Sequence, residues 1–128
     1  VSVVPMTVLD EEAERTVAEH LARCGFELIY QSRASRGAFD LLATRGAGQL
    51  GVQVKRATLP LRLTQEEWGR MVGDAARFGW RWIVAVSSPE GAVALLDPAR
   101  AARGRTVRLD AKAVIENIVA WVDAPQAG

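Results

Sequence analysis

Two apolar runs, Ala38 to Thr44 and Leu50 to Arg56, flank the stretch Arg45-Gly46-Ala47-Gly48-Gln49. Strand-like segments joined by five residues, two of them glycine, predict an antiparallel hairpin. With the turn centred between Gly46 and Ala47, Leu41 falls opposite Val52 and Asp40 opposite Gln53. Along the second strand Val52 and Val54 point one way, and Gln53 and Lys55 point the other. Directly opposite residues share a face. Asp40, Gln53 and Lys55 are therefore expected on one patch of a sheet, and a register slip of one residue would disperse them.

Around the hairpin the remaining elements follow from period and punctuation. A helix is expected from about Asp10 to Cys24, with Asp10 as N-cap, an apolar stripe of Leu9, Ala13, Val17, Leu21 and Cys24, and Gly25 closing it. A strand, Phe26 to Ser32, leads into the hairpin. Thr64-Gln65-Glu66-Glu67 has the capping-box pattern and opens a helix to about Phe78, stopped by Gly79. Strands are expected at Trp80 to Ser87 and Ala92 to Leu96. Asp97-Pro98 predicts a short helix closed by Gly104, and Asp110 a last helix to Val122. The order α-β-β-β-α-β-β-α-α predicts an α/β domain, with a mixed sheet of about five strands flanked by helices. One domain of 128 residues is expected, with its core over about 10–96, a helical segment over 97–123 and a frayed tail from Ala124.

Composition excludes several classes. With 49% hydrophobic and 24% charged residues the chain is neither disordered nor of low complexity. No run of about 18 apolar residues is present, so no membrane span is expected. Cys24 is the single cysteine, which leaves no internal disulfide and no cysteine-based zinc cage. Val1 to Val8 lacks the basic region of a secretory signal, so a reducing, cytoplasmic setting is expected. The net charge of +1 does not by itself announce a nucleic-acid partner. No G-x-G-x-x-G or Walker sequence is present.

The chemistry rests on the polar patch. An acid, an amide and an amine on one face of strands as apolar as Leu41, Leu42, Val52 and Val54 are costly unless they serve each other or a ligand. Asp40 and the Gln53 side-chain oxygen are hard donors suited to a divalent cation. Lys55 beside them suits stabilisation of charge on a phosphate or activation of a water. Glu14 lies on the edge of the first helix's apolar stripe, toward the sheet margin. Arg33, Arg36 and Arg45 cluster near the hairpin, where a phosphate backbone could be tracked. Singly, each residue has a blander reading. Asp40 and Lys55 could form a cross-strand ion pair, His20 and Cys24 are boundary packing, and Trp80 and Trp82 are core or interface. Arg100, Arg103, Arg105 and Arg108 read as a solvated basic stretch, with phosphate contact as the minority reading.

Together these residues resemble the PD-(D/E)XK nuclease superfamily over about Glu14 to Ser87. Archaeal Holliday junction resolvases and small endonucleases associated with group I introns are the branches most similar. Glu14 stands before Gly25-Phe26 as the glutamate of the first helix does in that pattern. Asp40, in Gly37-Ala38-Phe39-Asp40-Leu41-Leu42, matches the metal-binding aspartate, and Gln53-Val54-Lys55 matches the E-x-K element. Two departures stand out: Phe39 replaces the proline, and Gln53 replaces the acid, as in the Q-x-K version of the intron-associated branch. The resemblance implies a restriction-endonuclease-like core with Mg²⁺, or Mn²⁺, held by Asp40, Gln53, the Val54 carbonyl and Glu14. Weaker metal binding than in a three-carboxylate site follows from Gln53. Lys55 is the group expected to position or activate the attacking water, and Arg33, Ser35, Arg36, Arg45 and Arg56 are the expected DNA contacts.

The function expected is metal-dependent endonucleolytic hydrolysis of duplex or branched DNA by a homodimer, in the manner of a junction resolvase or a homing endonuclease. Apolar surplus on the last helix (Val114, Ile115, Ile118, Val119, Trp121, Val122) or on the Trp80–Trp82 strand is the expected dimer surface. The alternatives are a nuclease fold that binds DNA without cutting it, favoured by Gln53, and an interaction protein with no nucleic-acid role, favoured by the near-neutral charge.

Overall fold

The computed structural model describes residues 6–30 and 37–124. Five strands form the main sheet: β1 (Glu27–Tyr30), β2 (Leu41–Arg45), β3 (Gly48–Arg56), β5 (Arg81–Ser87) and β6 (Val93–Leu96), in the spatial order β1-β2-β3-β5-β6. Neighbours are antiparallel except β3 and β5, which run parallel. A parallel pair needs a crossover, and the segment between them supplies it with β4 (Leu61–Leu63) and α2 (Gln65–Phe78).

The hairpin has the register expected of a turn at Gly46 and Ala47. Leu41 pairs with Val52 and Arg45 with Gly48, and Gly46 takes φ +62°, which a side chain would resist. Alternation then sorts the two faces. Leu41, Ala43, Val52, Val54, Ile83 and Ala85 bury against α1 (Met6–Arg23), whose stripe of Ala13, Val17, Ala18 and Leu21 is 0–5% exposed. Val84 and Val86 project to the other face, under Trp68, Met71 and Ala75 of α2. A second sheet, β4-β8-β7, with β7 (Ala102–Arg103) and β8 (Val107–Leu109), packs Leu61, Leu63, Val107 and Leu109 into this second core.

Cap chemistry sets α2. Thr64 Oγ1 accepts the Glu67 N–H at 3.0 Å, and Gly79 closes the helix at φ +70°. Helix α1 begins at Met6, so Asp10 lies inside it and is not its cap. No glycine or proline interrupts Met6 to Leu9, so the helix extends past the acidic cluster.

The helical segment expected over 97–123 is corrected. Asp97 does cap a turn begun by Pro98, accepting from Ala99 N–H at 2.8 Å, but that turn is a 3-10 helix of three residues. Val107 and Leu109 point inward and Arg108 outward, a strand period inside the segment expected to be helical. Asp110 caps another three-residue 3-10 turn. The β-branched pair Val114-Ile115 then runs extended, because the edge of β6 offers partners: Leu96 bridges to Val114, and Ile115 N–H donates to Leu95 O at 2.8 Å. Asn117 starts afresh with α3 (Ile118–Asp123). The apolar residues expected to be surplus pack against the core and, apart from Ile118, stay partly exposed. Ile118 is buried, and Ile115, Val119, Trp121 and Val122 pack on the α1-side core. Trp80 and Trp82 pack on the α2-side core. The frayed tail expected at the C-terminus lies, beyond Ala124, outside the described residues.

Candidate active site

Strands β2 and β3 part company at Asp40. Asp40 N–H donates to Val52 O at 3.0 Å, although the ladder partner of Val52 is Leu41. Two residues on one strand thus address one on the other, as in a β-bulge, and the bulge re-aims the Asp40 side chain. The carboxylate turns onto β3 just beyond the end of β2. Its Oδ2 accepts the Val54 N–H at 2.8 Å and the Gln53 Nε2 at 2.9 Å. The carboxylate thereby satisfies a backbone donor that β2 no longer reaches. Gln53 Nε2 also lies 3.4 Å from Val54 O, which brings that carbonyl into the same cluster.

Phe39 anchors this bend. A Cβ on Gly51 would meet the Phe39 ring at 3.0–3.2 Å, so the absence of a side chain at 51 is what lets the ring lie on β3. The ring centroid is 6.3 Å from that of Trp80 and 6.0 Å from that of Trp82, and Phe39 is 4% exposed. Asp74 of α2 holds the same loop from the other side, its Oδ2 accepting the Ala38 N–H at 2.7 Å. The aspartate is thus preceded by a fixed aromatic wedge.

Lys55 projects from the face that Gln53 occupies, toward α2. Its Nζ donates to Glu67 Oε2 at 3.0 Å, each side chain about one-third exposed. The Glu67 carboxylate is also 3.4 Å from the Thr64 hydroxyl. The hydrogen bond from Lys55 holds the Glu67 carboxyl below its usual range, partial burial opposes this, and the Lys55 charge and Thr64 reinforce it. Glu67 was legible in the sequence only as a capping residue. Placing α2 over the Gln53–Lys55 face is what turns it toward the lysine.

The other expected residues are distributed unevenly. Glu14 is half-buried beside Ala13, in the layer of α1, which covers the face opposite Gln53 and Lys55. Arg56 is exposed at the end of β3 and lines a small hollow with Glu12, Thr16 and Ser87. Arg45 is set apart from the Asp40 cluster. It stands at the far end of β2, five residues or about 17 Å along the strand from Asp40, where its Nη1 pairs with Asp123 at 3.1 Å. Arg33, Ser35 and Arg36 lie outside the described residues. His20 is half-buried, with its pKa lowered by burial and then by Arg23. Cys24 is a free, half-buried thiol against the α1-side core.

The donors at the site are the Asp40 carboxylate, the Val54 carbonyl and, after a turn of its amide, the Gln53 oxygen. All are hard oxygens, so the set fits Mg²⁺ or Mn²⁺ and not a soft metal. Among the described residues no group of three or more histidines, cysteines or carboxylates forms a metal cage. At these three donors metal affinity would rest on one carboxylate and neutral oxygens.

No family model matches this sequence, and no curated protein matches it significantly. Solved structures do. One is Hjc of Archaeoglobus fulgidus, a Holliday junction resolvase from an archaeal hyperthermophile, at 1.6 Å resolution. It shares 26% identity with a TM-score of 0.70 over 82% of this chain and 86% of its own. The five-stranded mixed sheet with flanking helices is thus a restriction-endonuclease-like, resolvase-type nuclease fold.

Proposed function

We propose that this chain is a metal-dependent DNA endonuclease acting as a homodimer on duplex or branched DNA. The observation that carries the reading is the meeting of Asp40, Gln53 and the Val54 backbone where β2 leaves β3, with Lys55 on the same face. The resolvase fold of the structural neighbour supports it. Asp40, Val54 O and Gln53 would hold Mg²⁺ or Mn²⁺, with Glu14 contributing directly or through water. A cation held there would supply Lewis acidity to the phosphate. Lys55, held by Glu67, donates to the scissile phosphate or orients the attacking water. Water adds at phosphorus, the ester P–O bond breaks, and the departing oxygen takes up a proton. Arg56, Arg33, Ser35 and Arg36 would track the backbone beside the site.

Incubation with a four-way junction, duplex and single strands in Mg²⁺ or Mn²⁺ tests this. Cleavage is expected, with losses of at least about a hundredfold in Asp40→Ala and in Lys55→Ala, on the scale of removing one preorganised group. Cleavage unchanged in both variants would overturn the assignment.

One observation favours a second reading, a nuclease fold that binds DNA without cutting it. The Gln53 amide presents its nitrogen to Asp40, so it orders the carboxylate as it stands. Salt-sensitive DNA binding without cleavage in either metal would decide for this reading.

A further inference from the structure

The small β4-β8-β7 sheet is two-faced. Its inner face is Leu61, Leu63, Val107 and Leu109, 0–7% exposed. Its outer face carries Arg62 of β4 directly opposite Arg108 of β8, with the small Ala102 of β7 on the other side. Like charges directly opposite each other destabilise a sheet. The turn that joins β7 to β8 adds Arg103 and Arg105, both exposed. Residues 97–112 hold five basic side chains and two acidic ones. Both acids are committed locally, Asp97 to Ala99 N–H and the Trp121 indole, and Asp110 to Lys112 N–H. Arg108 is 3.7 Å from Asp110 and Arg100 is 3.9 Å from Asp97, whereas Arg62, Arg103 and Arg105 make no ion pair with any described carboxylate.

This sheet adjoins the candidate active site. Leu63 immediately precedes the Thr64 cap of α2. Gln65 Nε2 donates to Gly104 O, between Arg103 and Arg105. Two residues further on, Glu67 grips Lys55. A line of direct contacts thus runs from the lysine to the arginine turn.

We propose that Arg62, Arg103, Arg105 and Arg108 form a second phosphate-binding surface, which engages the DNA backbone on the flank of the substrate away from the cleaved bond. It rests on the nuclease reading for the identity of its ligand. The arrangement suits the sugar-phosphate strand: guanidinium forks match phosphate oxygens, and the patch offers charge with no recognition helix to read bases. Folding gains nothing from Arg62 facing Arg108, and a bound phosphate between them would remove the repulsion.

The test is titration of fluorescent 30-base-pair duplex and four-way junction with EDTA present, across a range of salt concentrations. Arg62→Gln/Arg103→Gln/Arg105→Gln is compared with the control Arg23→Gln/Arg77→Gln. Each lost phosphate contact lowers the slope of log affinity against log salt by about 0.9. The triple variant is expected to lose about two units or more of slope and at least about tenfold in affinity at low salt, with the control unchanged. An equal loss per charge in the control would assign the effect to net charge and overturn the surface. Should the triple variant fail to fold, Arg105→Glu alone, in an exposed turn, must show the loss. A wild-type slope in these variants overturns this inference and leaves the endonuclease reading intact. Failure of the wild type to bind either DNA, in EDTA and equally in Ca²⁺, overturns both.

Discussion

At the residue scale, Gln53 decides how the site is charged. A glutamate there would set a second carboxylate against Asp40, a repulsion that only a cation relieves. The amide instead donates to Asp40 Oδ2 at 2.9 Å and stabilises the metal-free state. Gln53→Glu exchanges that hydrogen bond for a charge. The Mg²⁺ concentration that gives half-maximal cleavage is expected to fall about tenfold or more, the scale of one added Coulombic partner near a protein surface. The same variant without metal is expected to unfold at a lower temperature, which calorimetry with and without Mg²⁺ would show. Unchanged metal dependence would mean that residue 53 lies away from the cation. Glu67 shows the converse case, a carboxylate whose charge is satisfied within the protein by Lys55 and Thr64.

At the element scale, the hairpin works because its two strands are matched until Leu41 and mismatched at Asp40. The mismatch is held by packing, since the Phe39 ring occupies the space above Gly51. Gly51→Ala puts a methyl group into that ring. The expected cost is about 1–3 kcal/mol of stability, the range for overpacking a filled core. Because Phe39 adjoins Asp40, cleavage should fall by more than the loss of folded protein explains. Chemical denaturation beside the cleavage rate of the folded fraction separates the two effects. A rate loss no greater than the folded fraction predicts would detach the aromatic wedge from the site. The hairpin register was legible because its turn glycines and alternation agree. The bulge was not, because it depends on an aromatic side chain finding a glycine on the next strand.

At the scale of the whole molecule, the surfaces expected to join two copies pack in part on the protein's own core, and their tryptophans stay partly exposed. Trp121 illustrates why. Its indole N–H donates to Asp97 at 3.0 Å, and the Arg81 guanidinium lies 4.0 Å over its ring while bonding the Trp121 and Val122 carbonyls at 2.7 and 2.8 Å. Among the described residues the large exposed apolar side chains are Ile29 on β1, at 54%, and Val72 and Phe78 on α2, at 45% and 49%; Phe78 stacks on Trp80 at 4.7 Å. Beside them runs a groove of about 600 Å³ between α2, Trp80, Trp82, Pro98 and Trp121. The homodimer is expected to use this side of α2. Light scattering on the eluting peak should give twice 13.9 kDa, and Val72→Asp/Phe78→Asp should return it to 13.9 kDa. A wild-type mass of 13.9 kDa at micromolar concentration would remove the dimer from the proposal. Among the described residues no helix is long and apolar enough to cross a membrane.

Local pattern determined the pairing of β2 with β3, the Thr64 and Gly79 caps of α2, and the gathering of Asp40 with Gln53, since turns, caps and strand alternation act over a few residues. It misjudged residues 97–123. There, propensities for short helices compete with backbone partners at the edge of β6 and with a distant apolar seat for Val107 and Leu109. Only tertiary packing decided that contest, and only packing brought Glu67 to Lys55 and Arg62 opposite Arg108. Such contacts join residues far apart along the chain, and their energy exists only once both layers have closed on the sheet.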